Sequence, residues 1–223
     1  MFGLEFLLAG FLNFQAMPTS SVVTCQPKTP TRVNVRPSNS RIQYDFTRSK
    51  EELNNVDVDT VSPYGPQHKT EVSGLMSGSI QVKHEIKFLQ ERYERAEQGC
   101  VYIKSIDVSV NVEPTIFIAR EHPKGSCMHT AVMAHEMLHV REDQLIVNKY
   151  SKIIGQGLKR EVDKMKQFGP YSIYEIPVVQ TNLQNTLNNL LMDYNEAMNK
   201  ERRTRQQAID SLEEYERIGA RCK

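Results

Sequence analysis

From Met128 onward the apolar residues of this chain change period. Upstream they alternate: Ile80, Val82, His84, Ile86 and Phe88 share one side of "SIQVKHEIKF", and Ile106, Val108, Val110 and Val112 share one side of "IDVSVNV". That is the period of half-buried strands. Downstream, "MHTAVMAHEMLHV" contains neither Pro nor Gly and follows helical spacing, with Ser126 after the "HPKG" turn as its N-cap. A chain of 223 residues with strands in its first half and helices in its second can bury one sizeable core. The expected fold class is α+β, with a mostly antiparallel sheet.

The remaining segments fill in this outline. Residues 26–40, "QPKTPTRVNVRPSNS", read as a Pro- and Ser-punctuated lead-in with at most one short strand. "RIQYDF" reads as another strand, and "TIFIA", after Pro114, as a further one. Residues 61–79, with two prolines and three glycines, read as loop. The first helical pattern continues, with breaks, toward Gly169-Pro170. A second runs from Thr181 to about Ile218 on a stripe of Leu183, Leu187, Leu190, Tyr194, Ala197 and Met198, then Ala208, Leu212 and Tyr215. Glu201 and Arg205 interrupt that stripe.

The first helix carries His135-Glu136-Met137-Leu138-His139. Residues four apart on a helix lie about 40° apart around its axis, so both imidazoles face one ion. Glu136 lies about 100° round from His135, at the flank, where a carboxylate reaches a metal-bound water without being a ligand. Zinc takes imidazole nitrogen readily, and a catalytic site needs only three protein ligands plus water. The ion would lower the pKa of that water to about 7. Glu136 would then act as general base, passing the proton to the leaving amine of a peptide bond. Met128, Ala131 and Val132 flank His135 on the same side, so this is not a simple wet helix face.

"HTAVMAHEMLHV" resembles the active-site helix of the zincin metallopeptidases, and "TIFIA" sits where zincins carry the edge strand that binds substrate backbone. The resemblance implies His135 and His139 as zinc ligands and Glu136 as base. The metzincin extension is absent, because positions 142 and 145 are Glu and Leu. The wider layout, ending in a long helix with "QQAIDSLEEY", resembles bacterial predicted secreted zinc-dependent proteases.

The third ligand is open. Glu142 shares the histidine face, but seven residues of unbroken helix span about 10 Å, too far for zinc bonds of about 2 Å. Four carboxylates of the later helix compete. Asn195-Glu196 looks like the Asn-Glu of several gluzincins, although the helical phase puts Glu196 opposite the apolar stripe. Glu201 falls inside the stripe, with Arg205 one turn on as an alternative partner. Asp210 and Glu214 have the spacing of a ligand and an orienting carboxylate. Asp210 is favoured, on the "QxxID" resemblance. Of the other histidines, His122 could line the cleft or stabilise an oxyanion, His129 points elsewhere, and His84 reads as a satisfied core histidine.

Charge and cysteines bound the rest. A net charge of +1 gives no sign of a nucleic-acid partner, and "NKERRTRQQ" reads as a solvated helix face. Residues 1–21 resemble a signal peptide: a short apolar run, then small and polar residues, although Glu5 interrupts it and no basic residue precedes it. Residues 22–223 would then be a single zincin-like domain, secreted or periplasmic, with no stable membrane insertion beyond that segment. Cys25, Cys100, Cys127 and Cys222 lack metal-binding spacing and suit two disulfides in any of three pairings. A Cys127–Cys222 bridge would pin the chain end near the motif helix. The reading is a zinc-dependent endopeptidase acting on a peptide or protein substrate. The alternatives are a non-catalytic exported zinc-binding or partner-binding protein, or an amidase acting on cell-wall peptide.

Overall fold

The computed structural model describes residues 22–56, 60–64, 71–165 and 168–222. The signal-like segment 1–21 lies outside the described residues. The order of elements is β1 (Arg32–Asn39), β2 (Gln43–Asp45), α1 (Lys50–Leu53), β3 (Gly74–Ser77), β4 (Ile80–Tyr93), β5 (Gln98–Val112), β6 (Thr115–Ile118), α2 (Cys127–Lys164), β7 (Tyr171–Ser172), α3 (Ile176–Ile209) and α4 (Leu212–Arg221). The fold is mixed α/β, with a strand-rich first half and a helical second half.

The strands form two small sheets, ordered β1-β5-β4 and β2-β6-β3, with β7 added at the start of β5. Both sheets are mixed, which corrects the expectation of a mostly antiparallel sheet. β4 and β5 are antiparallel, as a hairpin requires, but β1 runs parallel to β5 and β2 parallel to β6. The reason is that three chain paths continue side by side from one sheet into the next. β1 passes into β2 along the same course as β5 into β6, joined at the bend by Ser40 N–H to Val112 O and Gln43 N–H to Pro114 O. The third path, β3 into β4, runs the opposite way. Pro37 is tolerated because β1 is an edge strand, where a missing N–H costs no ladder bond.

Two strand expectations need further correction. The stretch 61–79 is not all loop, since β3 lies within it. β6 is not an edge, because β2 and β3 flank it on both sides and Ile116 and Ile118 are fully buried. The edge position beside the motif helix belongs to β3. His84 is also not a core histidine: it is exposed on β4 and its Nε2 lies 3.0 Å from Asn188 Oδ1.

α2 packs on the strands as one continuous helix of 38 residues. Ser126 caps it by accepting from His129 N–H. α3 lies antiparallel to α2, and the lower halves of both helices are apolar. Ile146, Val147, Tyr150, Ile154 and Leu158 pack with Leu187, Leu191 and Met198 and with the buried face of β5. Each such fully buried side chain contributes about 1.5–3 kcal/mol. Within α2, Gly157 is where Tyr194 of α3 crosses: a Cβ there would lie 2.0 Å from its hydroxyl.

The second helical run does not extend unbroken to Ile218. It stops at Asp210 and restarts as α4, because Ser211 accepts from Glu214 N–H and caps a new helix. Disulfides join Cys25 to Cys100 and Cys127 to Cys222, so the second one does tie the chain end to the start of α2. Both are consistent with an exported protein. Among the described residues no helix is long and apolar enough to cross a membrane.

Candidate metal centre

Above the apolar half of the α2–α3 pair, the facing residues turn polar. On α2 they are His135, His139 and Asp143; on α3 they are Arg202, Gln206 and, at its end, Asp210. Both sets are spaced by four, so in an antiparallel pair they meet as three rungs: Asp143 with Arg202, His139 with Gln206, His135 with Asp210. All six residues are buried.

The top rung is the centre. Asp210 Oδ1 lies 3.1 Å from His135 Nε2 and 3.2 Å from His139 Nε2, and the two nitrogens are 3.3 Å apart. These three atoms form a compact triangle of donors, and His135, His139 and Asp210 together could hold a metal ion. The break after α3 makes this possible. As the C-cap residue, Asp210 leaves the helical path with φ −79° and ψ 56°.

Burial pulls the pKa of His135 and of His139 down, but hydrogen bonds to Asp210 and the nearby Glu136 charge outweigh it, and both end raised. Burial pushes the Asp210 carboxyl up. Its bonds to the two imidazoles, and then to Thr60, reverse that and hold it far below the usual carboxylate range.

The lower rungs hold the upper one in place. Asp143 is fully buried and takes a two-point ion pair from Arg202, Nε to Oδ1 at 2.8 Å and Nη2 to Oδ2 at 3.1 Å. Gln206 donates from Nε2 to Asp143 Oδ1 at 2.6 Å and to the His139 carbonyl at 3.1 Å. With its NH2 group committed, its oxygen faces His139 Nδ1 and accepts a hydrogen bond from it. The amide therefore requires a proton on Nδ1 and leaves the lone pair of Nε2 aimed at the triangle. Glu214 sits at the outer nitrogen of His135, with Oε1 3.4 Å from Nδ1, and is itself clasped by Arg217. Tyr215 stacks edge-on against His135, with ring centroids 5.7 Å apart, and its hydroxyl bonds Asp210.

Glu136 faces the same cavity from the flank of the triangle. It is buried, and burial pushes its carboxyl up to about 7, against the pull of His135 and His139. Its partner is the Met76 backbone N–H of β3. The approach of α2 to β3 depends on Gly74, where a Cβ would lie 2.3 Å from Val132 Cγ1 and 2.8 Å from the Phe117 carbonyl. In β3 the backbone of Ser73 turns toward the neighbouring strand, where its carbonyl accepts from Ala119 N–H at 2.9 Å. By alternation Gly74 and Met76 turn theirs outward. The Gly78 carbonyl, next on that side, accepts from Arg202 Nη2 at 3.0 Å. The cleft lined by β3, α1, the rungs and Tyr215 has a volume of 310 Å³.

The other carboxylates considered from the sequence lie elsewhere. Glu142 pairs with Arg205, and Glu201 with Lys149, Arg205 and the Tyr150 hydroxyl. Glu196 is exposed. His122 bonds Ser73 Oγ at 3.1 Å, and His129 is buried with Nδ1 3.1 Å from the His122 carbonyl, so neither joins the triangle. Sequence reading missed Asp143, Arg202, Gln206 and Tyr215. A signal for the first three exists: His-x3-His-x3-Asp on one helix is matched by Arg-x3-Gln-x3-Asp on the other. The break that frees Asp210 is also written locally, as Ser211-x-x-Glu214.

Compared with protein families, curated proteins and solved structures, the chain matches none.

Proposed function

We propose that this protein is a zincin-like zinc hydrolase that cleaves peptide bonds. The observation that carries the reading is the donor triangle, with a fourth group, Glu136, lining the same cavity without joining it. Tetrahedral ligands about 2.0–2.1 Å from one zinc ion lie about 3.3–3.4 Å apart, close to the 3.1–3.3 Å between the three donor atoms. Two imidazoles and one carboxylate also suit zinc better than magnesium or calcium, which prefer oxygen donors throughout. His135, His139 and Asp210 would hold the ion. Bound there, zinc would supply Lewis acidity toward a water molecule and a substrate carbonyl.

The chain's own residues supply the rest. Glu136, with a carboxyl raised toward neutrality by burial, accepts the proton of the attacking water and returns it to the leaving amine. The Met76 N–H steadies its carboxylate. The outward backbone of Gly74 and the outward carbonyl of Met76 give an extended peptide an edge to pair with. This role falls to β3, since "TIFIA" is an interior strand. Tyr215, hydrogen-bonded to Asp210, forms part of the cavity wall beside the centre.

The test compares purified wild type with Glu136→Gln by elemental analysis and on a broad fluorogenic peptide library, with a chelator control. Both proteins should carry one zinc. Wild type should cleave, and Glu136→Gln should lose about 10²–10⁴ in rate. Equal cleavage by the two proteins removes Glu136 as base. Wild type that holds zinc and cleaves nothing supports the non-catalytic zinc-binding reading instead.

A further inference from the structure

A second cavity, of 270 Å³, opens beside the first and shares Thr60, Val72, Gly74, His135, Glu136 and Tyr215 with it. Its own walls have different chemistry. Met128 and Val132 of α2 form one side, Ile218 and Gly219 of α4 the other, and Val72 and Tyr215 close it toward the donor triangle. The one charged residue among its described lining residues, apart from Glu136 and His135, is Glu71. Its side chain is 72% exposed and engages Lys50 Nζ at 2.8 Å, so its charge is turned outward. The recess therefore begins at the carboxylate of Glu136 and runs between the apolar walls of α2 and α4, with Thr60, Ser62 and Ser73 adding neutral hydroxyls to its lining. We infer that it binds a bulky apolar side chain of the substrate, of leucine or phenylalanine size, on the residue next to the bond held at the centre. This assignment rests on the peptide-hydrolase reading above.

Size and continuity support that occupant. An apolar cavity of about 150 Å³ accepts a benzene ring, so 270 Å³ admits a Phe or Leu side chain without rearrangement. Gly74 lines both cavities, so a peptide paired along β3 passes from one to the other. A charged side chain would exchange its water for Met128, Val132, Ile218 and the neutral hydroxyls of Thr60, Ser62 and Ser73, since Glu71 is already engaged by Lys50. Gly219 leaves space at the mouth: a Cβ there meets no atom within 4 Å. A longer side chain at 219 is thus compatible with α4 and also favours a helix over glycine.

The experiment measures binding rather than turnover. Zinc-loaded Glu136→Gln protein is titrated into fluorescein-labelled hexapeptides Ala-Ala-X-Ala-Ala-Ala, with X as Leu, Phe, Asp or Lys, and anisotropy is read. Leu and Phe peptides should bind at least about tenfold tighter than Asp and Lys peptides. Adding Gly219→Leu should erase that preference, and adding Ile218→Asp should shift it toward Lys; thermal melts confirm that each variant is folded. No measurable binding, equal binding of all four peptides, or a Leu preference that survives both changes overturns the proposal. A Leu preference abolished by both changes, in a protein whose wild type cleaves nothing, keeps the recess and removes the hydrolase reading. Cleavage by wild type with no side-chain preference beside the cut does the reverse.

Discussion

Removing the Cys127–Cys222 bridge with Cys127→Ser/Cys222→Ser separates the role of α4 from that of the donor triangle. α4 has no buried residue, so little packing holds it against α2. It nevertheless delivers Glu214 and Tyr215 to His135. The bridge closes a loop of 95 residues, for which loop-closure entropy gives about 4.7 kcal/mol at 25 °C. In a domain of this size, 1 kcal/mol corresponds to about 2–4 °C, so the melting temperature should fall by roughly 9–19 °C. The Cys25–Cys100 loop spans 75 residues and does not overlap the first, so Cys25→Ser/Cys100→Ser should cost a similar amount, about 4.5 kcal/mol, independently. The two variants should part at the centre. His135, His139 and Asp210 lie on α2 and at the end of α3, so both variants should bind one zinc. Peptide cleavage should drop at least about tenfold only when α4 is released, because Tyr215 and Glu214 leave with it. The assays are differential scanning calorimetry, elemental analysis and peptide turnover on the same preparations. A melting shift under about 2 °C, or loss of zinc in Cys127→Ser/Cys222→Ser, would refute the reasoning. Either result would mean that α4 is held by packing or that the triangle depends on it.

Asp210→Ala should abolish stoichiometric zinc, as should His135→Ala, whereas Glu196→Gln and Glu201→Gln should retain it; metal content by mass spectrometry decides. Gln206→Met keeps side-chain volume but removes both halves of the amide's hydrogen bonding. Zinc affinity, read by competition with a chromophoric chelator, should fall about 10–100-fold. An unchanged affinity would show that the Gln206 rung does not orient His139. Gly74→Ala forces a methyl against Val132 Cγ1 and the Phe117 carbonyl, and should cost about 1–3 kcal/mol in urea unfolding. It should also reduce cleavage, since α2 must move away from β3 and carry Glu136 with it.

Much of the local structure was legible. The alternation around Ile106–Val112 is β5, the Ser126 cap starts α2, and the four-residue spacing of His135 and His139 puts both rings on one face. Each follows from backbone geometry within a few residues. The strand pairing was less legible. Hairpin logic reaches β4 and β5, but the parallel partners of β5 and β6 come from a chain segment some 70 residues away, and nothing in β1 or β2 names its neighbour. Residues 61–79 looked like loop because two prolines and three glycines punctuate them. Gly74 serves instead to let a helix approach a strand.

By itself, then, the sequence determined which helix carries the two imidazoles, which side they share, and that Glu136 flanks them. The tertiary structure decided which carboxylate completes the set. Glu196, Glu201, Asp210 and Glu214 all lie in a plausible helical run, and local periodicity ranks them by exposure alone. What selects Asp210 is the antiparallel register of α2 against α3, set by the apolar packing of Ile146, Tyr150 and Ile154 against α3. That register brings Asp143 to Arg202, His139 to Gln206 and His135 to Asp210. Asp143, Arg202 and Gln206 read as ordinary surface residues in one dimension, and Asp210 was favoured on a resemblance alone, because a buried polar residue is recognised only by the partner that satisfies it. Here each partner lies 59 or more residues away along the chain.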